Sequence, residues 1–418
     1  MRLSAIADRI QTSPILTLAA EINDYIARGE TFYNLTVGDF NPKVFPIPAE
    51  FRDAIVAAYN DNQTNYPGAV GLPKLRNAVS AFLKEIGGLE YGPDEIFIAS
   101  GGRPFLYAAY RAVVNPGEKV IFPVPSWNND YYTTLSDAVP VMLETAPENN
   151  FMPTAEMIEP HLGEAALVAL CSPLNPTGTA FSEEKLAALC DLILAENRRR
   201  GRDRKPVYLI FDQIYWPLTF GETRHHNPVS LRPEMRDYTI FVDGMSKTFS
   251  ATGVRLGWGF GPTDVTRKMR SMVAHMGAWA PRAEQVAAGN YLSDLAAVRR
   301  HLTEIRGKIQ TRLEGFYDGF VALREKGYPV NAIEPQAAMY LTVQLDLVGK
   351  TTADGRTLAS SAEVHRYILE DAKVGLVPFS YFGASEDSTW YRLSVGTCRA
   401  EDVPVIMDAL GASLAKLR

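Results

Sequence analysis

In the stretch DGMSKTFSATGVRLGWGF (residues 243–260), Lys247 stands between Ser246 and Thr248, and Arg255 follows eight positions later among glycines. Its flanks, YTIFVD and LGWGF, are apolar. A buried lysine is costly unless it is paired or its pKa falls. Either the segment bulges to solvent or Lys247 has a chemical task, and the tasks open to a neutral amine are nucleophilic or acid–base. Upstream, YLIFDQIYWPL ends an apolar run on Asp212, with Tyr215 three residues on. A carboxylate there needs a cation or a donor if it is buried, or it caps a following helix. CSPLNPTG carries Asn175 into a turn, placing an amide at the end of an apolar run. SGGRPFLYAAYRAVV sets two glycines before a helix that opens with Pro104. That pattern fits an anion site at a helix start, and equally a tight strand-to-helix turn.

The elements that must position these residues alternate. Strand candidates are EIFIAS, EKVIFPVP, ALVALCSP, PVYLIFD, YTIFVDG and GVRLGWGF. Helix candidates between them include PFLYAAYRAVV, EEKLAALCDLILAENRRR and PTDVTRKMRSMVAHM. Such alternation predicts an α/β architecture with a largely parallel sheet buried on both faces. Sheets of this kind bind ligands at the carboxyl ends of their strands, where SPLNPTG, FDQIY and DGMSKT fall. An amphipathic N-terminal helix stopped by Gly29 is expected. A long helical region over 282–327, broken near NYLSDLAAV, leads into an α+β tail with AAMYLTVQL, SAEVHRYILEDA, WYRLSVGT and a last helix.

Composition narrows the classes. The chain has 418 residues, 46% hydrophobic and 22% charged, as globular proteins do. A net charge of −6 argues against nucleic-acid binding, which needs a basic footprint. Cys171, Cys190 and Cys398 are few and widely spaced, which predicts a reducing, cytoplasmic setting without disulfides. The pair His225-His226 lies in a polar loop without acidic companions, so no metal site is expected. No signal peptide or membrane span is expected either. GVRLGWGFGP misses the dinucleotide-binding spacing, and no P-loop sequence occurs.

Read in order, LTVGDFNP, NYPGAVGLPKLRNAV, GGRPFLYA, PVPSWNNDY, SPLNPTG, FDQIY, SKTFSATGVRLGW and YRLSVG resemble the class I/II aminotransferases, which depend on pyridoxal 5'-phosphate (PLP). The resemblance spans nearly the whole chain. It implies fold type I: a large domain with a mostly parallel sheet between helices, and a smaller α+β domain formed by both chain ends. The expected division is an N-terminal arm and part of the small domain at 1–45, a large PLP-binding domain at 46–304 and a small domain at 305–418.

The resemblance also implies roles. Lys247 matches the lysine that forms a Schiff base with PLP and then shuttles a proton. Asp212 matches the partner of the ring nitrogen, and an anion there keeps the ring an electron sink. Tyr215 and Asn175 match hydrogen-bond partners of the ring's 3-oxygen, and Trp127 the aromatic on the ring face. Arg255 matches the phosphate-binding arginine, aided by Gly102, Arg103 and Ser246. Tyr66 matches a tyrosine that reaches the neighbouring subunit's phosphate, which implies a homodimer. Arg392 matches the clamp on the substrate α-carboxylate, near the Gly38 backbone, with Asn175 and Trp127 also beside the substrate.

Two departures from the family pattern stand out. Gly244 occupies a position where many relatives carry a phosphate-binding hydroxyl, and Phe379 in PFSYFG replaces a glycine, predicting a narrower or more apolar pocket rim. Arg103 is the informative residue for substrate. A basic side chain at this position faces the distal carboxylate in some bacterial aspartate aminotransferases, so aspartate or glutamate is the expected donor and a 2-oxo acid such as 2-oxoglutarate the acceptor. The alternatives are an aromatic aminotransferase, a PLP-dependent β-lyase, or a non-catalytic sensor on the same fold. Sensors carry a DNA-binding module ahead of the fold, and none is expected before a motif that starts at Leu35.

Overall fold

The protein is described by a computed structural model covering residues 3–418. In chain order its strands are β1 (Tyr33–Asn34), β2 (Phe97–Ala99), β3 (Lys119–Val124), β4 (Val139–Glu144), β5 (Ala165–Cys171), β6 (Tyr208–Asp212) and β7 (Thr239–Gly244). They continue as β8 (Gly257–Phe260), β9 (Val330–Ala332), β10 (Tyr340–Leu345), β11 (Val374–Gly375), β12 (Val377–Pro378) and β13 (Trp390–Ser394).

Seven strands form one sheet in the order β2-β8-β7-β6-β5-β3-β4. All pairings are parallel except those of β8, which runs antiparallel to both β2 and β7. The strands are short and apolar because both faces are covered. On β7, Phe241 joins one core with Leu75, Phe82 and Leu186, while Ile240 and Val242 join the other with Phe105 and Met269. The six strands read from the sequence all lie in this sheet. The seventh, β4, is an edge strand with most side chains exposed and Pro140 inside it, which weakens its apolar signal.

The second domain is an antiparallel sheet, β12-β13-β10-β9, packed on the helices Leu295–Glu325 and Asp402–Leu414. Leu35, Phe40 and Phe45 enter its core, and β1 pairs in parallel with β11, so both chain ends build this domain. The expected N-terminal helix is two helices, Ala5–Arg9 and Pro14–Ala27. Pro14 explains the split: it starts a helix well but cannot lie inside one. The second helix buries Leu18 and Ile22 against Phe32 and Leu369. The long helical region breaks at Ser293-Asp294, where the Asp294 carboxylate caps the next helix by accepting from the Ala297 N–H at 3.0 Å.

The loop histidines differ from expectation. The His225 ring turns inward against Phe211 and Trp216, and burial pushes its pKa down to about 3. Among the described residues no cluster of His, Cys, Asp or Glu could hold a metal, and no helix is long and apolar enough to cross a membrane.

Gly244, at the end of β7, has a steric reason to be glycine. A Cβ there would lie 2.7 Å from the Gly257 Cα and 2.8 Å from the Leu256 carbonyl oxygen on β8 and its approach. Forcing a side chain into such a contact costs about 1–3 kcal/mol. Gly244→Ala should therefore lower the unfolding free energy by that order, read as a lower urea midpoint, and an unchanged midpoint would contradict the packing described.

Candidate active site

The carboxyl ends of β5, β6 and β7 open into a cavity of about 610 Å³. Each strand delivers a residue there. Cys171 ends β5 and lies in register with Asp212, which ends β6. Lys247 sits in the single helical turn Met245–Thr248 that follows β7. Gly102 and Arg103 open the helix Arg103–Val113 at the same end of the sheet, and Pro104 follows in its first turn. The smaller domain closes the far side with Arg392 from β13 and Tyr340 from β10, and Ile10, Ile15, Leu16 and Ala19 of the N-terminal arm form an outer apolar wall.

Of the residues singled out in the sequence, Gly38, Gly102, Arg103, Trp127, Asn175, Asp212, Tyr215, Ser246, Lys247, Arg255 and Arg392 all line this cavity. Tyr66 does not. It stands 80% exposed on the surface, edge-on to Trp279 at 5.1 Å. Phe379 also differs from expectation. It is buried edge-on against Phe151 at 5.1 Å and lines no part of the cavity, so it does not narrow the rim. Within PFSYFG it is Phe382 whose ring meets the Arg392 guanidinium, at 4.9 Å.

Positive charge dominates the lining. Arg103, Lys247, Arg255 and Arg392 share the cavity with two carboxylates, Asp39 and Asp212. Three of the cations donate to carbonyl and amide oxygens. Lys247 Nζ donates to the Gly38 carbonyl. Arg255 donates to the Thr252 and Ser100 carbonyls at 2.7 and 3.1 Å. Arg392 Nη1 donates to Asn175 Oδ1 at 2.9 Å, and Nη2 to the Thr36 carbonyl. Arg392 Nε is buried without any partner. Arg103 lies 4.6 Å over the Trp127 ring. Arg392 is buried, Lys247 half-buried, and Arg103 and Arg255 exposed, and cations so arranged have spare capacity for anionic groups.

The titrating groups respond to this field. Burial pushes Lys247 down to about 8; Arg392, Arg103 and Arg255 add to that fall and Asp39 opposes it. Asp212 rises to about 6 through burial, although it accepts from the Ile214 N–H at 3.0 Å and feels Lys247. Burial also raises the Tyr215 hydroxyl far above its ordinary value. Its oxygen lies 2.7 Å from the hydroxyl of Tyr340.

These features agree with the comparisons to known proteins. The family described as aminotransferase class I and II matches residues 30–410. The chain belongs to the class I and II aminotransferases. The aspartate aminotransferase of Geobacillus stearothermophilus is 29% identical to it over 404 residues, 95% of each chain. A bifunctional aspartate aminotransferase and glutamate/aspartate-prephenate aminotransferase of Petunia hybrida is 29% identical over 395 residues, covering 94% of this chain and 78% of that one. Among solved structures, the aspartate aminotransferase of Rhizobium meliloti superposes over 100% of both chains with a TM-score of 0.89 at 26% identity. That of Thermus thermophilus with maleate covers 99% of this chain and 100% of that one, with a TM-score of 0.87 at 25% identity. As expected for this family, the fold is type I, with a large sheet domain and a smaller domain made from both ends.

Sequence reasoning missed several lining residues. Asp39 adjoins Gly38 and receives the Thr252 hydroxyl at 2.5 Å, but one acidic residue in a loop motif carries no signal of its own. Tyr340 reads as core within an apolar run. Nothing in the N-terminal pattern marks Ile10 to Ala19 as a cavity wall.

A measurable consequence concerns Lys247. Below about pH 8 its amine is protonated and inert; above it the amine is free, whereas an ordinary lysine titrates near 10.5. In the cofactor-free protein, labelling of Lys247 by an amine-directed reagent, located by peptide mass mapping, should rise with a midpoint near 8. A midpoint near that of surface lysines would contradict the described environment.

Proposed function

We propose that this aminotransferase uses pyridoxal 5'-phosphate, attached through Lys247, to move the amino group of aspartate or glutamate to a 2-oxo acid such as 2-oxoglutarate. The observation that carries the reading is Lys247 itself: a buried amine with its pKa pushed down to about 8, sharing one cavity with Asp212 and three arginines. The fit of the cofactor rests on cations without carboxylate partners and on the orphaned Arg392 Nε.

Bound PLP supplies an electron sink for the pair left when the amino acid loses its Cα proton. The chain's residues do the rest. A neutral Lys247 amine can attack an aldehyde carbon, and when freed its Nζ takes the Cα proton as a general base. Asp212, fixed by the Ile214 N–H, would hold a proton on the ring nitrogen. Tyr215 and Asn175 would bind the ring's 3-oxygen, and Trp127 would offer a flat face. Arg255, Ser246 and the helix start at Gly102 and Arg103 suit the phosphate. Gly244 is barred from carrying a side chain by its contacts, and Ser246, two residues on, lines the cavity with a hydroxyl that would take that role. Arg392 presents its planar fork to the substrate α-carboxylate beside Gly38.

The donor assignment rests on Arg103, whose charged group reaches the cavity without a carboxylate partner, and on relatives named aspartate aminotransferases. A second donor class, aromatic amino acids, is favoured by the apolar outer wall of Ile10, Ile15, Leu16 and Leu135. Tyr66, exposed and outside its own cavity, suits a contribution to a second copy's site in a homodimer. Free Cys171, Cys190 and Cys398 suit a reducing, cytoplasmic compartment.

The test is the absorption spectrum of the protein reconstituted with PLP, titrated with single amino acids. A visible band that Lys247→Ala abolishes, and that aspartate converts, is the expected result; no band, or conversion by no amino acid, would sink the reading. Donor kinetics test Arg103. Arg103→Ala should cut kcat/KM for aspartate by about 10- to 100-fold, the worth of a charge-assisted hydrogen-bond pair, and leave phenylalanine nearly unchanged. Equal losses for both donors would remove the distal-carboxylate role.

A further inference from the structure

We infer that Tyr340 is a positioning residue for the proposed reaction: its hydroxyl sets the proton direction of Tyr215 while its ring carries Arg392. The inference rests on the PLP reading above and concerns a residue that reading leaves without a role.

Tyr340 opens β10 and is buried at the junction of the two domains. It touches three parts of the site at once. Its hydroxyl oxygen lies 2.7 Å from that of Tyr215, and the two rings meet edge-on with centroids 5.6 Å apart. The Arg392 guanidinium lies 4.8 Å from its ring centroid. Its hydroxyl also sits 2.7 Å from where a Cβ on Gly38 would be, so the backbone that accepts from Lys247 is packed directly on it.

A phenol has one proton. Tyr215 can donate to only one acceptor at a time, and in a buried hydroxyl pair one member must accept. If Tyr215 donates to the 3-oxygen of the cofactor ring, the bond to Tyr340 is made only with Tyr340 as donor. The surroundings favour that polarity. Arg392 over the Tyr340 ring pulls its hydroxyl toward acidity against the effect of burial, and the more acidic phenol is the better donor. The charged or titratable groups facing the pair are Arg392 from β13, Cys171 from β5 and Asp39 from the loop after β1. Accepting from Tyr340 makes Tyr215 a stronger donor in turn, since hydrogen bonds in a chain polarise one another. A stronger donor at the ring oxygen draws negative charge away from the lysine-linked nitrogen and lowers its basicity.

Two substitutions separate the hydroxyl from the ring. Tyr340→Phe keeps the ring under Arg392 and removes only the donor. In the PLP-loaded enzyme it should raise the pH midpoint of the visible absorption band by about one unit, the scale of one lost hydrogen bond at a buried charge. KM for the amino donor should stay within about twofold. Tyr340→Leu removes the ring as well, so it should shift the band similarly and also raise KM by about tenfold through a loosened Arg392. Thermal unfolding of both variants reports whether the fold persists. A band midpoint that does not move in a folded Tyr340→Phe enzyme overturns the proposal and leaves the PLP reading standing. A wild-type protein without any visible band overturns both.

Discussion

The site is organised by one electrostatic constraint: four cations are gathered in a cavity that supplies two carboxylates. Desolvation and mutual repulsion both act against the charged forms. The only member able to shed its charge near neutral pH is Lys247, and it absorbs the strain as a lowered pKa. The arginines cannot do so. Arg255 and Arg392 are held by neutral oxygens instead, Arg103 lies over the Trp127 ring, and Arg392 also meets the rings of Tyr340 and Phe382. Such a site is preorganised for anions, because Arg392 and Arg255 are held in place by fixed oxygens before any ligand arrives.

The scaffold explains how that arrangement persists. Parallel strands end together, so residues far apart in sequence share one rim: Cys171 stands beside Asp212, and Lys247 follows the next strand. The second domain brings Arg392 against Asn175, which ties the two domains together at the cavity. The same seam includes the Thr342 hydroxyl, which donates to the Thr177 carbonyl at 2.7 Å. The asparagine-proline turn is thus held by its partner domain as well as by its own strand.

Much of this was legible in the sequence for identifiable reasons. Buried parallel strands are short apolar runs, and helix starts carry prolines and small residues, so the alternation of the large domain is plain. Lys247, Asp212 and Asn175 stood out because each is a polar group at the end of an apolar run, where burial demands a reason. What was hidden lacked that contrast. β4 is an exposed edge with a proline. Tyr340 is a tyrosine in an apolar strand, and its hydroxyl partner is 125 positions away. A sequence change such as Phe379 announces a difference but not the direction in which the side chain turns. The outer wall of the cavity comes from a helical arm whose apolar residues read equally well as packing.

The geometry at Arg255 ties these threads together. Its backbone is left-handed, with φ 59° and ψ 51°, a conformation that costs an ordinary side chain about 1 kcal/mol or more. Glycines abound in this stretch, with Gly253 and Gly257 two positions to either side. A glycine at 255 would relieve the strain but would bring no charge. With the arginine there, the guanidinium donates across to the Ser100 carbonyl, against the backbone that opens the helix at Gly102 and Arg103. A strained residue is retained where its side chain is needed at one place. Here that place is the one corner of the cavity where a helix start, Ser246 and a guanidinium face the same space. The strain at Arg255 and the absence of room for a side chain at Gly244 and Gly257 thus go together: the backbones of β7, β8 and Gly101 pack closely beside the cavity that Arg255 lines.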